Sequence, residues 1–495
     1  MVKFGELTNQ NPWWKYGKNF SRFDRHLSQL RQQKIQIERK KIQLKQDTII
    51  VIRGCRQTGK TTYIKQNIAN LVNIEIKPES IMYLSVDQLI KSRREFRNAI
   101  DSFLTRNIDK EEVYIFLDEI TALKDWNHEL KRLSDTGITN KARIIVTGSS
   151  GAALRDISEQ IPGRGLEGNE YILKPITFRE YIHQTLQYFI SQSASNELAE
   201  ALIRLKEILP KTSISPNENI NQISKACHRV LPFQQELNHL FNHYLRSGGF
   251  PMSINSYLKQ GDNQIDSQIA ENFVRITLGA LSYYGKNETT ARQLLDEIIK
   301  KYGSLFSFTS LSDQVNHVTT GDYLDFLEKS FILHIHYAID LDKKTIKYKG
   351  RKKAYFQDPF MFHSLKSWLT GTNLNDVINE ALNDDLLLGE IVEATVTSHI
   401  VSCNEIPYMR EKNTFNWFYY DQRGREIDNI VKNDQYYDAI EVKYRNNVDT
   451  RDVTKTQGLR QTIILSKDDF METENTCVIP TSVYLSLLER SSRNL

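Results

Sequence analysis

GCRQTGKT, residues 54–61, is the stretch that decides the fold of this chain. Its spacing, G-x-x-x-x-G-K-T, lets consecutive backbone N–H groups point into one concavity that can hold phosphates. Lys60 can then reach the terminal phosphates, and the Thr61 hydroxyl can bind Mg²⁺. The alternative is a chance glycine turn before a helix. We predict an ATP or GTP site whose contacts are Gly54, Gln57, Thr58, Gly59, Lys60, Thr61 and Thr62.

The sequence on both sides of this loop predicts a strand before it and a helix after it. Residues 48–52 (TIIVI) are a β-branched run typical of a buried strand, and residues 62–68 (TYIKQNI) continue as a helix whose N-terminus faces the phosphates. Further apolar runs at 81–85, 113–117 and 142–147 predict more strands. We therefore predict an α/β core built on a parallel sheet.

Two carboxylates, Asp118 and Glu119, end the run at 113–117. In α/β sheets the carboxyl ends of the strands present residues to a ligand. Asp118 can hold the hydration shell of Mg²⁺ there, while Glu119 can polarise the attacking water. A strand that merely ends in solvated acids is the commoner interpretation of such a pair taken alone. Downstream of a phosphate-binding loop, the catalytic interpretation is the better one.

Two more polar groups follow the strand predicted at 142–147. A small hydroxyl, from Ser149 or Ser150, could bind the γ-phosphate or the lytic water. Arg164 comes next, in a glycine-rich stretch. It could stabilise transition-state charge as an arginine finger, in cis or from a neighbouring subunit of a homo-oligomer. A surface arginine is an equally good interpretation of Arg164.

A turn, GGFP at residues 248–251, stands out from a polar stretch rich in predicted helix. Two glycines before an aromatic residue and a proline make a tight turn that can bring backbone against a flat ligand. Arg246 lies two positions before it.

Residues 289–341 predict a helix, a turn, a second helix and a hairpin, which is the order of a winged helix. A basic hairpin follows at 343–353, where it could neutralise duplex phosphates; a solvated, lysine-rich sheet edge is the alternative. Its cations are Lys343, Lys344, Lys347, Lys349, Arg351, Lys352 and Lys353.

Residues 15–45 are also basic, and form either a second phosphate-binding face or an ordinary solvated helix. Trp13 and Trp14 precede them as anchors.

The last 110 or so residues contain a helix with Glu393, a hairpin with Asp428, and a strand with Glu441 and Lys443. Glu441 and Lys443 share one face, because strand side chains alternate. This order resembles the PD-(D/E)xK nucleases. Glu393, Asp428 and Glu441 would gather one or two Mg²⁺ or Mn²⁺ ions, and Lys443 would position the metal-activated water or stabilise the scissile phosphate. Exposed strand charges and a helix-surface glutamate are the alternative.

The motifs together resemble an archaeal and bacterial family of AAA+ (P-loop) ATPases that carry a C-terminal PD-(D/E)xK nuclease-like domain of unknown function. The matching stretches are GCRQTGKTT (54–62), FLDEI (116–120), TGSS (147–150), GR (163–164), GGFP (248–251), YFQDP (355–359), GEIVE (389–393), EID (426–428) and IEVK (440–443). The resemblance implies a sensor-1 role for Ser149 or Ser150, adenine contacts from Gly249 and Pro251, and a sensor-2 role for Arg246. A longer lid around residues 185–235 departs from the family pattern.

The resemblance and the residue patterns predict an α/β P-loop AAA+ parallel-sheet core with a helical lid, a winged helix and a C-terminal α/β restriction-endonuclease-like domain. The expected boundaries are 1–45 for the basic N-terminal helical segment, 46–182 for the ATPase core, 183–285 for the lid, 286–354 for the winged helix and 355–495 for the nuclease-like domain.

Composition excludes several classes of protein. The four cysteines contain no C-x-x-C pair, which argues against a disulfide framework or a zinc site. We find no signal-peptide core and no apolar run of membrane-spanning length, so we expect a cytoplasmic protein without a membrane partner. The net charge of +4 is too small by itself to indicate nucleic acid.

Three functions remain open from the sequence. The first is an ATP-driven protein that acts on DNA and cuts it under ATP control. The second is an ATP-dependent switch or scaffold whose C-terminal domain only binds DNA or a protein. The third is a nucleotide-dependent regulator without nucleic acid. The set Glu393, Asp428, Glu441 and Lys443 favours the first.

Overall fold

The computed structural model describes residues 4–148, 169–259, 264–403, 415–433, 435–454 and 456–490. These residues divide into two compact units, one up to Lys174 and one from Pro175 onward.

The first unit is a parallel sheet of five strands with the order β2-β3-β4-β1-β5. Its strands are β1 (Ile49–Arg53), β2 (Ile81–Ser85), β3 (Val113–Asp118), β4 (Ala142–Thr147) and β5 (Glu170–Ile172). Its helices are α1 (Phe4–Gln10), α2 (Trp13–Tyr16), α3 (Arg25–Arg31), α4 (Lys60–Asn73), α5 (Val86–Leu89), α6 (Arg93–Arg106) and α7 (Trp126–Asp135). The parallel α/β core predicted from the sequence is confirmed.

Strand β1 shows why the sheet is buried on both faces. All five of its residues are buried. Ile49 and Val51 pack into the hydrophobic cluster on one side of the sheet, and Ile50 and Ile52 pack into the cluster on the other. A strand covered on both faces needs a continuous apolar run, which is what this β-branched stretch supplies. The C-terminal end of β1 therefore leads into the loop from a rigid base.

The N-terminal segment is held to this sheet by its tryptophans. Trp13 is fully buried, and its Nε1 donates to the Ile81 carbonyl at 2.9 Å. The Trp14 Nε1 donates to the same oxygen at 2.7 Å. Lys65 on α4 forms an ion pair with Asp24, with 3.4 Å between Nζ and Oδ2. The segment is thus part of the first unit, and its described helices stop at Arg31, before the basic residues 34–45.

The second unit begins with helices. They are α8 (Phe178–Gln192), α9 (Asn196–Ile208), α10 (Ile220–Val230), α11 (Gln234–Ser247), α12 (Pro251–Lys259), α13 (Ser267–Tyr283), α14 (Glu288–Lys300) and α15 (His317–Lys329). Short strands follow: β6 (Leu333–Tyr337), β7 (Ile339–Asp340), β8 (Thr345–Ile346) and β9 (Lys352–Phe356). Strand β6 pairs with β9 and β7 pairs with β8, both antiparallel. The winged-helix assignment of α14, α15 and the β6–β9 hairpin stays a prediction.

The rest of the second unit is a mixed six-stranded sheet with the order β10-β11-β12-β13-β15-β14. Its strands are β10 (Asn416–Tyr420), β11 (Glu426–Asn433), β12 (Tyr436–Val442), β13 (Leu459–Ser466), β14 (Met471–Glu472) and β15 (Thr476–Pro480). The helices of this part are α16 (Pro359–Thr370), α17 (Leu374–Asn383), α18 (Asp385–Cys403) and α19 (Thr481–Leu487). Strands β12, β13 and β15 are parallel, while β10, β11 and β14 run antiparallel to their neighbours.

Helix α18 is, among the described residues, the one helix long and apolar enough to cross a membrane by length and composition. Half of its most apolar stretch is buried inside the protein. Val392, Val396 and Ile400, whose period of four in the sequence predicts one inward face, all lie in the interior, and Ile391 does so too. This burial is typical of a core helix.

The GGFP turn is held by a buried aspartate just before α16. The Asp358 carboxylate accepts a hydrogen bond from the Gly249 N–H at 2.7 Å and another from the Phe360 N–H at 2.9 Å. Burial raises the pKa of Asp358 from 3.8 to about 7. The contribution of this group to the free energy of unfolding is therefore largest below its unfolded pKa and is lost as the pH rises through about 7.

We predict that Asp358→Ala lowers the free energy of unfolding by about 2 kcal/mol, because two buried N–H groups lose their acceptor. Asp358→Asn keeps one acceptor and does not ionise. The difference in melting temperature between wild type and Asp358→Asn should therefore decrease as the pH is raised from about 5 to about 8. Circular dichroism measures it. A difference that is constant across this range would contradict the account.

Candidate functional site

The predicted phosphate-binding loop joins β1 to α4, which begins at Lys60. The Lys60 Nζ donates to the carbonyl oxygens of Gly54 and Cys55, both at 2.8 Å, so the ammonium lies against the inside of the loop. Burial lowers the pKa of Lys60, and the nearby carboxylate of Glu119 acts in the opposite direction. A cation in this position suits a polyphosphate ligand.

The backbone of the loop takes conformations that favour glycine. Gly54 has φ of +149°, and a Cβ there would overlap the Leu173 carbonyl oxygen. Gly59, at the N-cap of α4, has φ of +94°, and a Cβ there would meet open space. Gln57 is left-handed with φ of +64° although it is not glycine. Such strained residues cluster at ligand sites. The Thr58 hydroxyl donates to the Cys55 carbonyl at 2.8 Å and closes the loop.

The Asp118 carboxylate lies where the ends of several elements meet. Its Oδ2 accepts hydrogen bonds from the Thr61 and Tyr83 hydroxyls, each at 2.8 Å. Its Oδ1 accepts a short hydrogen bond from the Thr147 hydroxyl. Burial and Asp118 together raise the pKa of Tyr83 well above its ordinary value, so the phenol stays a donor. Thr61 and Asp118 thus offer two adjacent hard oxygen ligands, the type that Mg²⁺ prefers.

Glu119 follows with φ of +54° and ψ of +42°, a left-handed conformation that is uncommon for glutamate. Its backbone N–H donates to the Thr147 hydroxyl at 3.3 Å, and its Oε1 accepts from the Thr121 hydroxyl at 3.5 Å. Glu119 thus lies at the C-terminal end of β3, directly after Asp118. This geometry fits the predicted role of Glu119.

Thr147 and Tyr83 are site residues that the sequence analysis missed. Thr147 is the last residue of β4, next to β1 and β3, and the sequence analysis placed the polar group two positions later. The sequence feature that could have identified Thr147 is a hydroxyl at the end of a predicted strand. Ser149, Ser150 and Arg164 lie outside the described residues.

The remaining predicted nucleotide contacts lie in the second unit. The Gly249 N–H donates to Asp358, and the Gly249 carbonyl accepts from the Ile176 N–H at 2.9 Å. Pro251 begins α12. The Arg246 guanidinium donates to the side-chain oxygens of Asn242 at 3.1 Å and Asn379 at 2.8 Å. The turn is therefore rigid, and its adenine contacts stay a prediction, as does the role of Arg246.

The predicted C-terminal site forms a partly buried acidic centre. Carboxylate oxygens of Glu393, Glu426 and Asp428 lie within 4.8 Å of one another. Glu393 comes from α18, and the other two come from alternate positions on β11. Burial, with Asp428 nearby, raises the pKa of Glu393. The structure thus brings two predicted ligands together and adds Glu426, which the sequence analysis did not select although E-x-D puts both acids on one strand face.

Glu441 and Lys443 lie beside this centre rather than in it. The Glu441 carboxylate accepts from the Thr454 N–H at 2.8 Å and from its hydroxyl at 3.1 Å. The Lys443 Nζ lies 3.5 Å from Glu441 Oε2, with about a third of its side chain exposed, 37%. The other oxygen of Asp428, Oδ2, accepts from the Val442 N–H at 2.8 Å and fixes β11 against β12. The donor set of the centre is all oxygen and fits Mg²⁺ or Mn²⁺.

Two cations of the predicted basic hairpin point inward instead of outward. Lys353 is 2% exposed and forms ion pairs with Glu393, Glu426 and Asp428. Lys352 is buried as well, and its Nζ donates to the Gly350 carbonyl. The prediction that these two bind phosphates is wrong, because adjacent strand side chains point to opposite faces and both faces of β9 are covered. Lys343, Lys344, Lys349 and Arg351 are exposed, and Lys347 is half-buried.

Comparison with known proteins assigns part of the chain. Residues 46–182 match the AAA domain family, so this region is a P-loop domain of AAA type. Residues 238–374 and 388–484 match two families described as domains of unknown function, DUF8612 and DUF4143. Neither match identifies a nuclease.

Similar proteins include two uncharacterised proteins of Methanocaldococcus jannaschii and one of Haemophilus influenzae. MJ1637 of M. jannaschii is 26% identical over 68% of this chain and 66% of its own length. The H. influenzae protein is 28% identical over 28% of this chain and 34% of its own length. MJ1544 of M. jannaschii is 26% identical over 35% of this chain and 38% of its own length. The chain therefore spans less than two thirds of the length of each of these relatives.

Solved structures with some similarity include the Aeropyrum pernix ORC2 protein in ADPNP and ADP complexes. It is 13% identical in sequence, the match covers 67% of this chain and 88% of that chain, and the TM-score is 0.29. The A. pernix ORC1 protein in complex with DNA is 12% identical in sequence. The match covers 70% of this chain and 88% of that chain, with a TM-score of 0.22.

We predict that Thr147→Val weakens ATP binding in the presence of Mg²⁺ by about tenfold, since Asp118 loses a buried hydrogen bond and the Glu119 N–H a partly buried one, each worth about 1 kcal/mol. Tyr83→Phe removes one hydroxyl only and should have a smaller effect. Binding without Mg²⁺ should stay unchanged in both, measured by fluorescent-nucleotide titration. Unaltered Mg²⁺-dependent affinity in Thr147→Val would show that Thr147 does not position Asp118.

Proposed function

We propose that this protein binds Mg·ATP at the loop of residues 54–62 and hydrolyses it. The observation that carries this proposal is the contact of Thr61 with Asp118, at 2.8 Å, beside the buried ammonium of Lys60. Lys60 would hold the terminal phosphates, while the Thr61 and Asp118 oxygens would hold the hydrated Mg²⁺. Glu119 would orient the water for in-line attack. Ser149, Arg164, Arg246, Gly249 and Pro251 remain proposed contacts from the resemblance.

We propose further that the second unit acts on DNA through the acidic centre. Support comes from three carboxylates that converge in a partly buried position, with Lys443 at the margin. A divalent ion held there would supply an activated water and shield a phosphodiester. The exposed cations of the hairpin 343–351 could neutralise backbone phosphates, and their number favours a polyanion. A homo-oligomer is compatible with this proposal, because Arg164 could act in trans.

The alternative is a switch that does not cut, whose C-terminal domain only binds DNA or a protein. One observation favours it: the ammonium of Lys353 already neutralises the acidic centre. Glu441 is also engaged by Thr454. Cleavage assays separate the two functions.

For the ATPase, we predict that Lys60→Ala abolishes saturable ATP binding, because the terminal phosphates lose their cation. Glu119→Gln should bind ATP normally and hydrolyse it about a hundredfold more slowly, since the water loses its base. Nucleotide titration and phosphate release measure the two effects. Hydrolysis at the full rate by either variant would refute the assignment.

For the nuclease, we predict Mn²⁺- or Mg²⁺-dependent cleavage of plasmid, branched or single-stranded DNA by the full chain. Lys443→Ala should reduce it about a hundredfold, because charge on the scissile phosphate loses a stabilising group. Lys432→Ala, an exposed lysine on β11, serves as the matched control. No cleavage by wild type would leave the non-cutting switch. Equal cleavage by all three proteins would remove the assignment of nuclease activity to this centre.

A further inference from the structure

A buried lysine is the cation of the acidic centre. The Lys353 Nζ lies 2.6 Å from Glu393 Oε1 and 3.4 Å from Asp428 Oδ1, and it forms a closer ion pair with Glu426. The Tyr355 hydroxyl also donates to Glu393. The buried ammonium thus contacts all three carboxylates of the centre.

Lys353 reaches the centre from a strand outside the sheet that carries the acids. Strand β9 pairs with β6, and Lys353 and Tyr355 alternate along it, so both side chains face the centre. Lys352 faces the other way, with its Nζ 4.6 Å from the centre of the Phe308 ring. Strand register therefore fixes Lys353 in the centre, and this position is independent of α18 and β11, which supply the carboxylates.

The carboxylates of the acidic centre need a counter-charge. Removal of one partner from a buried ion pair leaves an uncompensated charge, which is strongly unfavourable, so the carboxylates need either Lys353 or another cation. Carboxylate oxygens within 4.8 Å of one another suit a single divalent ion. An ammonium and a divalent ion at the same oxygens would repel each other at contact distance. The two cations therefore exclude each other.

We propose that Lys353 competes with the divalent ion, so that Mg²⁺ or Mn²⁺ enters the acidic centre only by displacing the lysine ammonium. This inference rests on the proposed function, because it takes the centre as a metal site. Displaced from its counter-charges, the ammonium must reach water, since an isolated buried charge is unfavourable. The lysine would then hold the centre inactive until a divalent ion replaces it.

The first test measures Mn²⁺ binding by electron paramagnetic resonance on the full chain. All proteins carry Asp118→Asn, so that the P-loop site does not contribute. We compare the unaltered centre with Lys353→Met, which keeps length and removes charge, and with Lys443→Met, which removes a charge at the margin only. Lys353→Met should bind Mn²⁺ at least about tenfold more tightly, because the competing cation is gone, and Lys443→Met should change affinity far less.

The outcomes of this test are distinct. Equal or weaker binding by Lys353→Met overturns the competition and leaves the metal site of the proposed function intact. Absence of Mn²⁺ binding in every protein overturns both. Equal tightening by the two methionine variants would show a general charge effect and also overturn the competition.

A second test needs no variant and so does not depend on the folding of Lys353→Met. Wild type is treated with an amine-acylating reagent with and without Mn²⁺, and labelled lysines are identified by mass spectrometry. Labelling of Lys353 should rise several-fold with Mn²⁺, while that of Lys352, buried on the same strand, stays constant. Mn²⁺ binding without greater labelling of Lys353 would overturn the proposal.

Discussion

The carboxylate of Asp118 is the constraint on which the first unit depends. Three hydroxyls donate to it, from the start of α4, from β2 and from the end of β4. A buried carboxylate without such donors would be costly, so the network and the sheet order stabilise each other. The same oxygens are those that a hydrated Mg²⁺ would use. The interactions that hold the strand ends together therefore also prepare the metal-binding position.

In the acidic centre of the second unit, an ammonium group rather than hydroxyls compensates the carboxylates. Three carboxylates gather around one ammonium, and β9 supplies both that ammonium and the Tyr355 hydroxyl. Just after β9, Asp358 holds the Gly249 turn through two backbone N–H groups. The segment 353–358 thus joins the turn expected to contact nucleotide with the centre expected to act on DNA.

Local signals made the first unit predictable from its sequence. The loop spacing, the β-branched run before it and the acids after a later strand can each be recognised from a few consecutive residues. Thr147 was missed because a threonine that ends a buried strand is common, and only the strand order places it beside Asp118. Residue spacing cannot supply that order.

The second site was harder to predict because its contacts are distant in sequence. Lys353 meets partners 40 and 75 residues away, and within its own segment it is one lysine among many. The sequence pattern assigned it to the surface, whereas pairing of β9 with β6 places it inside. Glu393 and Asp428 could be predicted because the order of the acids along the chain resembles that of the PD-(D/E)xK nucleases. Glu426 lies two positions before Asp428, on the same face of the strand, and could have been found by strand alternation.

The most direct measurement of the central claim is a crystal structure with a non-hydrolysable ATP analogue and Mg²⁺. We expect the Lys60 ammonium to leave the carbonyls of Gly54 and Cys55 for the terminal phosphates, with Mg²⁺ beside Thr61 and Asp118. An analogue bound elsewhere, or a Lys60 that still contacts both carbonyls with nucleotide present, would contradict the account.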